Sequence, residues 1–176
     1  MNGYSKRLSQ IFVWAVLLLT LFSCQKQERE NNIAEQETQI DTYVGNQTAD
    51  SVVFNGGVYR IIKRFGSGPE VERGDSVYFY YAIYRFSSGK GQLYATNNDS
   101  VAKVNSFPVM DSLETTVLNG EKLMPGLFYG MTGMRQGEYC NLVFSSKRGY
   151  GNKVVYNIEK NVPLFVEVWL EKVIKN

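Results

Sequence analysis

Twelve tyrosines, two cysteines and no histidine set the chemistry open to this chain of 176 residues. Without imidazole there is no ordinary general base near neutral pH, no Ser–His or Cys–His nucleophile pair, and none of the commonest zinc ligand. Cys24 and Cys140 stand far apart in sequence with no CxxC, so no disulfide framework and no metal site is expected. No cofactor is expected either. If the chain is an enzyme, its reaction must need neither a metal nor a proton relay through imidazole.

Charge narrows the partners. Lys and Arg total 19 against 17 for Asp and Glu, with no long basic stripe to hold phosphates. Nucleic acid is therefore not an expected partner. The N-terminus carries Lys6 and Arg7, then the mainly apolar run from Ile11 to Phe22, then Ser23-Cys24. That run is shorter than the roughly 20 residues of a permanent span and suits a signal segment. Leu21-Phe22-Ser23-Cys24 resembles the bacterial lipobox, which implies cleavage before Cys24 and a diacylglycerol on its sulfur. The expected division is a lipoprotein signal over residues 1–23, a tether over 24–50, and a domain over 51–176. The expected location is the bacterial cell envelope, on a membrane and by preference the outer one, held by the lipid at Cys24. Residues 25–32 read as a flexible polar tether. Ile33, Ile40 and Tyr43 recur at helical intervals, which fits either a short helix lying on the domain or a partner, or a spacer.

Short strands separated by Gly-rich turns follow. One runs through Gly57–Phe65, with Tyr59, Ile61 and Phe65 on one face and Arg60 and Arg64 on the other. Val77–Phe86 is apolar on both faces, which predicts a central strand. A hairpin loop at 87–91 leads into Gln92–Ala95. Residues 96–116 read as a polar excursion, functional or mobile and dispensable for folding. Pro125 suits the first turn of a helix and Gly130 its C-terminal cap. Tyr139–Ser145 places Cys140, Leu142 and Phe144 on one face, so Cys140 reads as a core residue. Leu164, Val166, Val168 and Leu170 alternate with Phe165, Glu167, Trp169 and Glu171, the pattern of a strand with one face buried. The predicted class is α+β, an antiparallel sheet curled around one short helix.

Four segments in this order are similar to one known family. Gly74-Asp-Ser-Val-Tyr-Phe-Tyr-Tyr81 fits its central strand. Leu123 to Glu138, with Gly133-Met134 and Gly137-Glu138, resembles its helix and following turn. Ser145 to Gly151 resembles its loop ending in Tyr-Gly, and Asn161 to Val173 its closing strand. The family is the FKBP-type peptidyl-prolyl cis-trans isomerases, and its lipoprotein branch in bacteria fits the N-terminus. The resemblance implies a rotamase acting on proline-containing polypeptides and assisting protein folding. Such a reaction suits the composition: turning an Xaa-Pro amide breaks no covalent bond.

The resemblance implies Tyr81, Tyr94 and Tyr150 as catalytic groups, with the Tyr150 hydroxyl offered to a substrate carbonyl. It implies Leu127 as the pocket floor, Val166 and Ile158 as walls, and Leu123 and Met124 at the edge of the helix N-terminus. Four positions depart from the family pattern. Ala95 stands where a carboxylate is usual, Leu127 where Trp is usual, and Glu159-Lys160 where Pro-Pro is usual. Two readings from different classes follow. One is an isomerase, weakened at these positions; the other is a non-catalytic module that binds peptides or partner proteins.

Overall fold

The structure is a computed structural model and describes residues 26–48, 51–108 and 112–176. Cys24 and the leader lie outside the described residues. A helix, α1, runs through residues 26–45. After it come β1 (Ser51–Asn55), β2 (Val58–Arg64), β3 (Ser76–Phe86), β4 (Lys90–Thr96), α2 (Asp99–Val104), β5 (Glu114–Val117), α3 (Pro125–Met131), β6 (Tyr139–Phe144) and β7 (Leu164–Ile174). The strands form one antiparallel sheet in the order β1-β2-β6-β7-β3-β4, with β5 also on β3. This is the expected α+β class. β3 lies inside the sheet, with Ile83 opposite Val166 on β7 and Thr116 of β5 opposite Val77.

Helix α3 lies on one face because its own face is small. A Cβ on Gly126 would stand 2.3 Å from Phe144 Cζ, and one on Gly130 would stand 2.5 Å from Leu142 Cδ1. Gly130 is thus inside the helix and packed on β6, not the cap the sequence suggested. The cap is Thr132. Arg60 finishes that end: Nη1 donates to Gly130 O at 3.1 Å and Thr132 O at 2.8 Å, and Nη2 to Gly133 O at 3.2 Å. A cation on the last carbonyls complements the helix dipole. Arg60 also pairs with Glu138 at 3.4 Å, both side chains being over nine-tenths buried. The expected alternation in β2 is therefore lost in its burial: Arg60 is buried as well as Ile61, while Phe65, just past the strand, is 69% exposed. Gly133 and Gly137 both sit at positive φ, 78° and 87°, so the Gly-Met-x-x-Gly-Glu signature is a turn that only glycine makes without strain. Met134 between them is fully buried.

The other face is covered by α1. Ile40 is buried in a cluster with Ile61, Val143 and Phe165, and the Tyr43 ring packs edge-on against Phe86 at 5.4 Å. Burying one such isoleucine contributes about 1.5–3 kcal/mol. Residues 26–32, expected to be a flexible tether, are helical and continuous with this docked segment. β7 consequently has both faces buried rather than one, with Phe165 and Glu167 as enclosed as Val166.

The excursion is also more ordered than expected. It contains α2, whose Ala102 is buried, and β5, paired to β3. Asn97 fastens its start, accepting from Tyr81 N at 2.6 Å and donating to Phe79 O at 3.2 Å and Ser112 O at 2.8 Å. Removing 96–116 would strip a strand and these bonds, so the segment is not a dispensable loop. Cys140 is a fully buried free thiol, as its strand pattern implied. Burial pushes it well above the ordinary thiol range.

Candidate functional site

The eight residues expected at the site come from five places in the chain. Tyr81 is on β3, Tyr94 on β4, Val166 on β7, and Leu127 on α3. Leu123 and Met124 precede α3, while Tyr150 and Ile158 sit in the connection between β6 and β7. All eight share one apolar cluster. Tyr94, Leu127, Ile158 and Val166 are buried, whereas Tyr81, Leu123, Met124 and Tyr150 are partly exposed around them. The eight are part of the main core under the sheet, and the four partly exposed ones bring two phenols and two flexible aliphatic side chains to its surface.

Local structure explains the placements. Met124 is the N-cap of α3 and has no side-chain capping bond, while Pro125 occupies the first turn. Two of the helix's free N–H groups find partners in the chain: Gly126 N donates to Arg148 O at 2.7 Å and Leu127 N to Met124 O at 2.9 Å. The first bond ties the start of α3 to the loop that carries Tyr150. Tyr81 is fixed through its backbone, whose carbonyl accepts from Thr96 Oγ1 at 2.7 Å. With Asn97 on its N–H, the main chain at Tyr81 is held from both sides. Ile158 is set by a reciprocal pair of bonds with Val155, at 3.0 and 2.9 Å, around the two-residue turn Tyr156-Asn157.

Electrostatics keep the phenols protonated. Burial, the Glu114 carboxylate, and the Tyr150 and Tyr156 phenols push the Tyr81 hydroxyl up from its ordinary value. Burial and Tyr156 do the same to Tyr150. Both therefore remain hydrogen-bond donors through the neutral range. Among the described residues neither hydroxyl has a hydrogen-bond partner. Unpaired donors at the rim of an apolar site suit a carbonyl-bearing ligand.

Sequence reasoning missed several contributors. Tyr156 stands 98% exposed at the site's edge, with a positive φ of 52° that is rare for a bulky residue. Nothing in its local sequence marks it. Asn97 and Arg60 were missed because each belongs to a stretch that reads as loop or solvent-facing. No described group of His, Cys, Asp and Glu could hold a metal ion.

Comparisons with known proteins give the family and the fold. Residues 68–171, more than half of the chain, match the model of the FKBP-type peptidyl-prolyl cis-trans isomerases. The chain belongs to that family. No curated protein matches it. A peptidyl-prolyl cis-trans isomerase from Pseudomonas syringae pathovar tomato is similar in structure, at 18% identity and a TM-score of 0.62, covering 83% of this chain and 96% of that one. FkpA from Escherichia coli is 18% identical with a TM-score of 0.59, covering 98% of this chain and 73% of that one. The three FKBP domains of wheat FKBP73 give 15% identity and a TM-score of 0.60, over 72% and 52% of the two chains. At these identities the structural likeness shows the fold.

Proposed function

We propose that this protein isomerises Xaa-Pro bonds in polypeptides of a cell envelope, anchored to the membrane by lipid on Cys24. The observation that supports the catalytic part is that eight residues separated in sequence share one apolar cluster, two of them phenols with no hydrogen-bond partner among the described residues.

The chemistry follows from the amide. A planar Xaa-Pro bond is more dipolar than its twisted transition state and crosses a barrier of about 18–20 kcal/mol. Enclosing it among Leu127, Val166, Ile158 and Tyr94 removes water that favours the planar, dipolar form. Only interactions stronger in the twisted state accelerate the reaction. The Tyr150 hydroxyl, held as a donor, fixes a carbonyl of the bound peptide while the proline ring turns against Leu127. Tyr81 supplies a second donor across the rim. Leu123 and Met124 offer apolar contact to the residue before proline, so apolar residues there are preferred.

Exchange measurements on short Xaa-Pro peptides test this directly. The purified chain should accelerate isomerisation above the uncatalysed rate, with apolar residues before proline favoured. Peptide binding in a titration without any acceleration would leave a binding module in place of the enzyme. The anchor has its own test. Mass spectrometry of the mature chain should find acyl groups on Cys24, and Cys24→Ser should release the protein from membranes. An unmodified Cys24 on the mature protein would refute the anchor.

A further inference from the structure

Gln36 joins the N-terminal helix to both ends of the β6–β7 connection, whose first loop carries Tyr150 and whose second carries Ile158. The residue is 7% exposed. Its Oε1 accepts the Ser146 N–H at 2.8 Å, and its Nε2 donates to Asn161 O at 2.8 Å and also contacts Asn32 Oδ1. Beside it, the Ser145 hydroxyl donates to Glu37 Oε1 at 3.2 Å. The Ser146 carbonyl in turn accepts from Gly149 N at 3.1 Å and Gly151 N at 2.9 Å, so the turn displaying Tyr150 hangs on the residue that Gln36 holds. Asn161 bonds back across the gap, its N–H to Gly151 O at 2.7 Å. Its φ of 59° is an uncommon conformation for a non-glycine residue, and such conformations persist when their surroundings hold them. Three residues before Asn161 is Ile158, and Val162 directly after it is buried in the site's cluster.

We propose that Gln36 is a positioning residue for the isomerase site. One buried amide sets the Tyr150 loop and the Ile158 loop against each other, so docking of α1 on the far face of the sheet organises the near face. The inference rests on the isomerase reading. Adhesion of α1 has a separate source, since Ile40 and Tyr43 bury its apolar side. Gln36 instead bonds main-chain groups of loops with no strand partners to hold them, where loss of a buried bond exposes two unsatisfied groups.

The test uses the full chain. Gln36→Leu keeps volume and removes both bonds, while Ile40→Ala weakens the apolar adhesion of α1 but keeps the helix in place with both Gln36 bonds intact. At a temperature where every variant is folded by circular dichroism, kcat should fall about three- to tenfold in Gln36→Leu. KM should stay within about twofold, because Leu123, Met124, Leu127 and Val166 supply the apolar contact and none bonds to Gln36. Ile40→Ala should leave both constants near wild type despite a lower Tm. In a Tyr150→Phe background, Gln36→Leu should add less than about twofold, as expected of residues acting through one group. Equal losses in the two single variants, or full additivity with Tyr150→Phe, would reduce Gln36 to a helix anchor and overturn the inference. A wild-type chain without activity would refute the isomerase reading separately. Hydrogen exchange then decides: the Gly151 amide should exchange about tenfold faster in Gln36→Leu and unchanged in Ile40→Ala, and equal protection in both would overturn the inference.

Discussion

The two faces of the sheet use the same side chain for opposite purposes. On the α3 face, Tyr81 and Tyr150 reach the rim of an apolar site with hydroxyls that have no partner among the described residues. On the α1 face, Tyr84 and Tyr139 donate to the buried Glu167 carboxylate at 3.0 and 2.7 Å, and Lys90 reaches it at 3.0 Å. Burial and that carboxylate push both of those hydroxyls up, so they remain donors. A tyrosine whose hydrogen bond is satisfied inside the protein contributes to stability. One whose hydroxyl is left open beside a water-poor surface is available to a ligand. Residue type does not separate the two, but strand alternation does: Tyr81 and Tyr84 are an odd number of residues apart on β3 and so point to opposite faces.

The comparison breaks first at Glu167. Glu167→Ala would leave one buried hydroxyl, one partly buried hydroxyl and one half-exposed ammonium without their acceptor, and should lower stability by about 3 kcal/mol. A denaturant titration should show the loss, with Tm falling by about 10 °C. Catalysis measured well below that Tm should stay within about twofold of wild type, because Glu167 faces away from the site. A large change in rate with unchanged stability would mean that the faces are not divided as described.

Tyr150→Phe sharpens the comparison from the other side, with a smaller effect. It removes a hydroxyl with no partner to strand among the described residues, so stability should change by less than about 0.5 kcal/mol. The rate on Xaa-Pro peptides should fall about two- to tenfold, the loss expected for one hydrogen bond of about 0.5–1.5 kcal/mol. A fall in stability matching that of Glu167→Ala would show that Tyr150 is a structural residue.

Much of this molecule was legible in the sequence because local pattern and tertiary role agreed. The two-faced apolar run from Val77 to Phe86 does lie inside the sheet, and the alternating strand from Leu164 does put Val166 and Val168 under α3. The expected site residues could be named because four motifs in a fixed order resemble one family, and the fold brings those residues to one cluster. The burial of Phe165 and Glu167 was not legible. Alternation reports which residues share a face of a strand, but says nothing of what covers the second face.

The sequence by itself determined the strand and helix periodicities, the turn glycines at 133 and 137, and the exclusion of histidine-based chemistry. These depend on residues close in the chain or on composition alone. Tertiary structure alone decided that Arg60 ends α3, that Asn97 holds Tyr81, and that Gln36 meets Ser146 and Asn161. Each is a polar side chain satisfied by backbone groups many residues away, up to 125 positions for Gln36 and Asn161. A buried polar group must find a partner, but which partner is fixed only when the chain has folded.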